Sequence, residues 1–332
     1  MKLSTTLRRA SGLTVLVLLV LGVSAQVAAA PPEAPTVTEV INFSTGDPAT
    51  DPGTEGIAVA ADGTIYVSAN TADGGQIWAV PPGATSPQVV ATLIPPTGGA
   101  GFGVLGLHLD GDDLLAAVNT FANPDLNGVW RVDTASGVAT HIPGTEAIVL
   151  PNDLTTWAGD IYVTDSLSGA VWIVTADGYV EPWLQSDLLA GLGLAIPGVP
   201  IGANGIDAFG GKLYIANLEK SLIVEVRING HGQGAEPTVL ATVNGLPDGL
   251  EVDHRGRPHI VLLDQAKLVR IGADGSSTVL AEGVDVFDAP SSLTFGQRRD
   301  HKSIYVVNFS IAEMFPDAFL QSDLGPGVVV YR

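Results

Sequence analysis

Short apolar runs alternate with glycine turns along most of the chain. In residues 201–217 (IGANGIDAFGGKLYIAN), two apolar runs flank the turn Gly210-Gly211, and the polar residues Asn204 and Asn217 border them. Apolar runs of this length joined by two glycines predict a β-hairpin. The two asparagines would place a side-chain ligand group at each strand end, so this hairpin is also a candidate site.

The same phrase recurs about every 50 residues, which makes the chain an array of repeats. The repeats begin at six equivalent leading positions: Glu55, Leu105, Asn152, Asn204, Asp248 and Ser291. Six copies of a four-stranded unit predict an all-β fold, a six-bladed β-propeller. The last unit has only three strands, and the unpaired strand at residues 36–43 (TVTEVINF) would supply the fourth. This pairing would close the ring and remove the exposed sheet edges.

Composition and charge agree with this fold and limit the possible partners. The 332 residues include 40 glycines and 22 prolines and are 46% hydrophobic, which suits a turn-rich all-β domain. The chain has no cysteine, so disulfides cannot hold the ring closed. The formal net charge of −20 argues against nucleic acid or an anionic membrane as a partner. The oligomeric state is left open.

Residues 1–30 have the features of a signal peptide. A basic start (MKLSTTLRR) precedes the apolar residues 13–23, a stretch too short to span a bilayer comfortably. Small residues follow, so cleavage is expected between about Ala25 and Ala30. We therefore expect a secreted or periplasmic protein with no stable membrane anchor after cleavage, a retained anchor helix being the alternative. The propeller then occupies residues 31–332.

Propeller geometry brings equivalent positions of the innermost strands together around the central channel. Four of the leading positions carry oxygen donors: Glu55, Asn152, Asn204 and Asp248. Two carboxylates and two carboxamides, without cysteine or histidine, suit a hard cation; calcium fits best, and another divalent cation is the alternative. Asparagine and aspartate in loops are also common turn formers, so any one of these residues alone could be structural. Their convergence at one register favours the metal site.

Three stretches exceed the blade pattern, at residues 98–105, 183–203 and 310–327. The second of these is long, apolar and poor in charge. Such segments either pack over the edge of the propeller or form an apolar lid or pocket wall above its axis.

Four phrases of the sequence, TEGIAV, PND, ANGI and LPDGL, contain the four donor positions. In this order they resemble the senescence marker protein-30/gluconolactonase (LRE-like) family and, more distantly, the paraoxonases and strictosidine synthase-like propellers. The resemblance covers nearly all of the mature chain. It implies a divalent cation, usually calcium, held at the channel mouth by Glu55, Asn152, Asn204 and Asp248. It further implies hydrolysis of a lactone or other ester, with Asp248 as the general base and Asn152 also placed to contact the substrate.

Two positions depart from the pattern of these families. Sugar lactonases tend to have arginine two residues before the asparagine of the third blade, where this chain has Leu150. Paraoxonases have histidine at the channel face of the second blade, where this chain has Leu105. We therefore expect a small-molecule ester or lactone of moderately apolar character, and an attack by histidine is not supported.

Three functions are compatible with these observations. The first is an exported calcium-dependent hydrolase in which the cation polarises the ester carbonyl and Asp248 acts as the general base. The second is a non-catalytic ligand- or protein-binding propeller with a structural calcium at its axis. The third is a lyase or condensing enzyme on the same scaffold.

Overall fold

The structure, a computed structural model, describes residues 35–97, 101–229, 234–309, 320 and 322–332. The described residues form 24 strands and three short 3₁₀ helices, Pro124–Leu126, Thr145–Ala147 and Arg298–Asp300. No helix in these ranges is long and apolar enough to cross a membrane. The predicted signal peptide, residues 1–30, lies outside them and stays a prediction.

The strands form six four-stranded sheets with antiparallel neighbours, and this confirms the predicted six-bladed propeller. In blades 1 to 5 the strands follow chain order from the innermost to the outermost.

The first strand of the described chain, β1 (Val37–Asn42), precedes blade 1. Blade 1 consists of β2 (Gly53–Val59), β3 (Ile65–Thr71), β4 (Gly74–Val80) and β5 (Gln88–Ile94). Blade 2 consists of β6 (Gly103–Asp110), β7 (Asp113–Asn119), β8 (Gly128–Asp133) and β9 (Ala139–His141). Blade 3 consists of β10 (Pro151–Trp157), β11 (Asp160–Asp165), β12 (Ala170–Val174) and β13 (Val180–Gln185). Blade 4 consists of β14 (Ala203–Phe209), β15 (Lys212–Asn217), β16 (Leu222–Arg227) and β17 (Thr238–Thr242). Blade 5 consists of β18 (Pro247–Val252), β19 (Pro258–Leu262), β20 (Lys267–Ile271) and β21 (Ser277–Glu282). Blade 6 uses β22 (Pro290–Phe295), β23 (Ile304–Asn308) and β24 (Gly327–Tyr331).

The first and last strands of the chain pair to complete blade 6. The order of this sheet is β1-β24-β23-β22, with Val37 opposite Tyr331 and Asn42 opposite Gly327. The predicted closure by an N-terminal strand is therefore confirmed. The closing strand β1 is the outermost strand of its blade. A β-ladder between strands from the two ends of the described chain therefore holds the ring closed.

The innermost strands of neighbouring blades approach each other very closely around the axis. A Cβ atom on Gly205 of β14 would lie 2.5 Å from the carbonyl oxygen of Asp248 on β18. A Cβ atom on Gly56 of β2 would lie 2.3 Å from the carbonyl oxygen of Leu105 on β6. Neither position has room for a side chain, so glycine is required there. Each of these glycines directly follows a leading position of the repeat.

The apolar core lies between blades rather than in one central mass. One cluster joins Ile41 of β1 and Val307 and Val328 of blade 6 to Ile57 and Val67 of blade 1. Five other clusters in the described chain similarly fill the body of the ring, and a further one lies over the channel. Burial across each blade boundary therefore contributes to the stability of the whole ring.

Closure by β1 can be tested with two neighbouring residues of that strand. Ile41 is buried at 5% exposure in the cluster between blades 6 and 1, whereas Val40 is 37% exposed. We expect Ile41→Ala to lower the free energy of unfolding by about 2–5 kcal/mol, because it leaves a cavity in the closing seam. The matched control Val40→Ala should change it by less than about 0.5 kcal/mol. Equal effects of the two substitutions in urea denaturation would contradict a closing role for the buried face of β1.

Candidate functional site

Four predicted donors line one cavity of about 110 Å³, which we call the donor cavity. These residues are Glu55 on β2, Asn152 on β10, Asn204 on β14 and Asp248 on β18, and all four are buried. The fold thus brings together residues that lie almost 200 positions apart in the sequence, as the repeat predicts.

The other two leading positions have different places. Leu105 lines the donor cavity as part of its apolar wall. Ser291 does not line it; the Ser291 hydroxyl donates a hydrogen bond to the backbone carbonyl of Glu55, at 3.0 Å. Ser291 therefore supports a predicted ligand rather than acting as one.

A β-bulge explains why the leading side chains turn towards the axis. The register of the ladder between the first two strands shifts at the leading position in every blade, for example between Thr54 and Ile57 and between Ala203 and Ile206. A bulge re-aims the side chain that it carries. In blades 1, 2, 4 and 5 a glycine follows the leading residue at this bulge, as in Glu55-Gly56 and Asn204-Gly205, whereas Asp153 follows Asn152 in blade 3 and Ser292 follows Ser291 in blade 6.

Asn70 and Asn217, near the ends of the second strands of blades 1 and 4, have a structural role. The Asn70 side chain accepts a hydrogen bond from the Val104 N–H at 2.8 Å and donates one to the Val104 carbonyl at 3.0 Å, which joins blade 1 to blade 2. The Asn217 amide donates to the carbonyls of Leu188 and Ala190, at 2.9 and 3.0 Å. Asn217 is therefore held by backbone contacts, and only Asn204 of the two hairpin asparagines lines the donor cavity.

Two acidic side chains share the donor cavity without a compensating cation. Burial raises the pKa of Glu55 well above its ordinary value, and the nearby charges of Asp248 and Asp153 raise it further. Burial and then the charge of Asp153 raise the pKa of Asp248 to about 8, while a side-chain interaction with Asn204 acts in the opposite direction. No lysine, arginine or histidine is among the described residues that line this cavity.

Two oxygen atoms at the site have no hydrogen-bond partner within the described chain. They are Oε2 of Glu55 and Oδ1 of Asn152, and both are buried. A buried acceptor without a partner is costly, and a bound cation would satisfy both atoms and offset the acidic charge. The residues present therefore fit a divalent cation. Among the described residues no three His, Cys, Asp or Glu side chains are grouped to hold a metal, so the fit depends on the two asparagine oxygens.

The walls of the donor cavity are apolar. The apolar residues that line it are Phe102, Leu105, Leu150, Ala195, Ile196, Ile201, Leu218, Leu246, Leu263 and Phe309. Three of them belong to the stretch 183–203, so this part of the stretch is a pocket wall, as one of the two sequence interpretations held. Of the other two long stretches, residues 98–100, 310–319 and 321 lie outside the described residues.

A second cavity of about 120 Å³, here the acid cavity, contains three further carboxyl groups. They belong to Asp153, Asp207 and Glu251, and each accepts a hydrogen bond from the backbone of the next blade. Burial raises the pKa of Asp153 to about 7 and that of Asp207 to about 6, and it raises that of Glu251 well above its ordinary value. Because Asp153 also raises the pKa values of Glu55 and Asp248, the two cavities form one electrostatic unit.

These three acids were missed by reasoning from the leading positions alone. Asp207 and Glu251 lie three residues after Asn204 and Asp248, and Asp153 directly follows Asn152. The available signal was a charged residue on an innermost strand, where neighbouring residues are apolar.

Comparison with solved structures shows the fold but leaves the activity open. A gluconolactonase from Xanthomonas campestris is 18% identical, with a TM-score of 0.61 over 90% of this chain and 94% of its own. A calcium-binding regucalcin from Agrobacterium tumefaciens is 15% identical, with a TM-score of 0.59 over 86% and 91%. A catalytically inactive virginiamycin B lyase from Staphylococcus aureus is 13% identical, with a TM-score of 0.54 over 90% and 99%. No protein-family model matches the chain, and no curated protein sequence matches it.

The raised carboxyl pKa values predict an unusual pH dependence of stability for the metal-free protein. Between about pH 4, the ordinary carboxyl value, and pH 8, the folded state holds more protons than the unfolded state, so the free energy of unfolding falls as pH rises. Each pKa unit by which a group is raised contributes about 1.4 kcal/mol to this loss. Denaturant unfolding of chelator-treated protein at pH 5 and pH 8 measures the effect.

The variant Glu251→Gln tests whether a buried acid causes this pH dependence. Glutamine cannot ionise, and its side-chain oxygen can still accept the hydrogen bond from the Phe295 N–H that Glu251 accepts at 3.1 Å. The variant should lose less stability than the parent between the two pH values. Greater stability of the metal-free parent at pH 8 than at pH 5 would show that the acids are not held protonated.

Proposed function

We propose that this protein is a divalent-cation-dependent hydrolase of a lactone or another carboxylic ester, with calcium as the best-fitting cation. The observation that carries the proposal is the pair of buried, partnerless oxygens on Glu55 and Asn152 beside the Asp248 carboxyl, on the polar side of an apolar cavity. The fold shared with a gluconolactonase and with a calcium-binding regucalcin supports the same conclusion.

Glu55, Asn152, Asn204 and Asp248 would hold the cation. Two carboxylates balance its two charges, and the two carboxamide oxygens add donors without excess negative charge. When bound, the cation supplies polarisation of the ester carbonyl and stabilises the negative charge that develops on its oxygen.

The side chains of the cavity supply the rest of the reaction. In the proposal, the Asp248 carboxylate takes a proton from the water molecule whose oxygen attacks the carbonyl carbon. The bond from that carbon to the alkoxy oxygen then breaks, and the proton passes to the leaving oxygen. The Asn152 carboxamide orients the substrate, and the apolar walls keep other water away from the reacting atoms.

The catalytic proposal predicts that Asp248 is needed for turnover. With calcium, the purified protein should hydrolyse at least one member of a panel of lactones and aryl esters, and a chelator should abolish this activity until calcium is restored. Asp248→Asn should lower kcat by about 100-fold or more, because it removes the base. Glu55→Gln should raise the calcium concentration needed for half-maximal activity. The control Asp73→Asn changes an exposed acid in a turn of blade 1 and should have no effect.

The same experiment separates the three functions. A binding propeller with a structural cation predicts that calcium raises the melting temperature while no compound in the panel is cleaved. A lyase yields products that contain no oxygen from solvent, whereas hydrolysis in ¹⁸O-labelled water places the label in the acid product. Absence of label from the product of an active preparation would overturn the hydrolase proposal.

We also propose that the protein is exported, since residues 1–30 have the composition of a signal peptide. The mature chain should begin between residues 26 and 31 and be recovered outside the cytoplasm. Mass spectrometry of the N-terminal peptide of the native protein measures this. A native protein that retains residues 13–23 would instead support the anchor-helix alternative.

A further inference from the structure

One carboxylate holds the loop that forms a wall of the donor cavity. The side chain of Glu219, just after β15, accepts hydrogen bonds from four successive backbone N–H groups. Oε2 accepts from Leu192 and, at 2.7 Å, from Gly193; Oε1 accepts from Leu194 and Ala195, both at 2.7 Å. Hydrogen bonds to an ionised acceptor are among the stronger ones in proteins, and here one side chain makes four.

The ends of this loop are attached to the propeller independently of Glu219. Leu189 is fully buried, and its carbonyl accepts a hydrogen bond from the Ala203 N–H at 2.8 Å. The Asn217 amide donates to the carbonyls of Leu188 and Ala190, and the Lys220 ammonium contacts the carbonyl of Asp187. Loss of Glu219 would therefore leave both ends of the loop in place.

The middle of the loop, residues 192–199, has a different attachment. Its other backbone hydrogen bonds, from Gly198 to Gly193 and from Val199 to Ile196, are internal. Every hydrogen bond that joins this segment to the rest of the described chain goes to Glu219. The remaining attachment is apolar packing, which is not directional and does not by itself fix the backbone position.

This segment is also the part of the loop that faces the donor cavity. Ala195 and Ile196 line the cavity, and Ala195 and Val199 pack against the cluster that contains Leu105 and Leu150. The sequence of residues 188–203 (LLAGLGLAIPGVPIGA) carries no charged side chain. A substrate hydroxyl or carboxylate against this wall would lose water without gaining a partner, whereas an alkyl or aryl group would gain from burial.

We propose that the cavity-lining part of residues 192–199, Ala195 and Ile196, binds an apolar chain or ring of the substrate, and that Glu219 is the positioning residue that fixes this wall over the donors. The inference rests on the proposed function and narrows its substrate to a neutral lactone or ester with an apolar substituent. Glu219 does not line the donor cavity, so it acts through the backbone of the loop.

The clamp is tested first without any activity measurement. Glu219→Gln keeps the shape of the side chain but retains only one oxygen, so two of the four N–H groups lose their acceptor. Hydrogen–deuterium exchange of the amides of residues 192–195 should become roughly ten-fold faster in this variant. The control Glu181→Gln alters an exposed glutamate of β13 and should leave exchange in this loop unchanged. Equal exchange in the parent and Glu219→Gln would overturn the role of Glu219.

The substrate class is tested with a series of lactones that differ only in the length of an alkyl substituent. In the parent, kcat/KM should rise about three- to four-fold for each added methylene until the wall is covered. In Glu219→Gln, KM should rise about ten-fold for the long-chain members and much less for the unsubstituted lactone, with kcat less affected than KM. In Glu219→Asp the rise in KM for the long-chain members should be smaller than in Glu219→Gln, since aspartate keeps both carboxylate oxygens.

The outcomes separate this inference from the proposed function. Hydrolysis of the unsubstituted lactone with no gain from longer chains, or equal losses for all members in Glu219→Gln, would overturn the apolar wall and leave the hydrolase intact. If the parent hydrolyses nothing, the hydrolase proposal fails, and binding of the neutral fluorescent probe N-phenyl-1-naphthylamine tests the wall instead. The parent should bind this probe about ten-fold more tightly than Glu219→Gln, and equal affinities would overturn the inference.

Discussion

The contact between the innermost strands of adjacent blades is the constraint on which the rest of the molecule depends. These backbones approach so closely that the residue after Glu55 and the residue after Asn204 must be glycine. The bulges that turn the leading side chains into the channel lie at the same positions. The fold and the site therefore depend on the same contact, because a larger residue at either glycine would push the strands apart and would also move the donors.

The second organising fact is a group of buried acidic side chains along the axis that no basic side chain of the described residues accompanies. Five acids line the two cavities: Glu55 and Asp248 the donor cavity, and Asp153, Asp207 and Glu251 the acid cavity. No lysine or arginine lines either cavity in the described chain. Backbone N–H groups of neighbouring blades partly satisfy the acid cavity, whereas two oxygens of the donor cavity have no such partner. That difference explains why the acid cavity is compatible with proton binding alone and the donor cavity fits a cation. The apolar walls strengthen both effects by keeping the local dielectric low.

Much of the fold and of the donor set could be predicted from the sequence because both follow the repeat. The period identifies the blades, the three-stranded last unit requires a strand from the N terminus, and the leading positions identify Glu55, Asn152, Asn204 and Asp248. The acid cavity was not found this way, because its acids lie outside the leading positions: Asp153 directly after one, and Asp207 and Glu251 three residues after two others. Glu219 was also missed, since it recognises four backbone N–H groups and these carry no side-chain signature in the sequence. Asn70, Asp165 and Asn217, at the ends of second strands, resemble ligands in sequence but bond to the backbone in the structure.

The pairing of β1 with β24 has a consequence for how the chain reaches its folded state. The hairpins of each blade join residues that are near in sequence, and such local contacts form quickly. The contact between Val37 and Tyr331, by contrast, joins residues from opposite ends of the chain. During synthesis β1 emerges first and has no partner until the final strand is complete, so blade 6 cannot obtain its fourth strand before then. Ring closure therefore depends on the most distant contact in the described chain, and a chain that has not closed carries an unpaired strand that can associate with other chains.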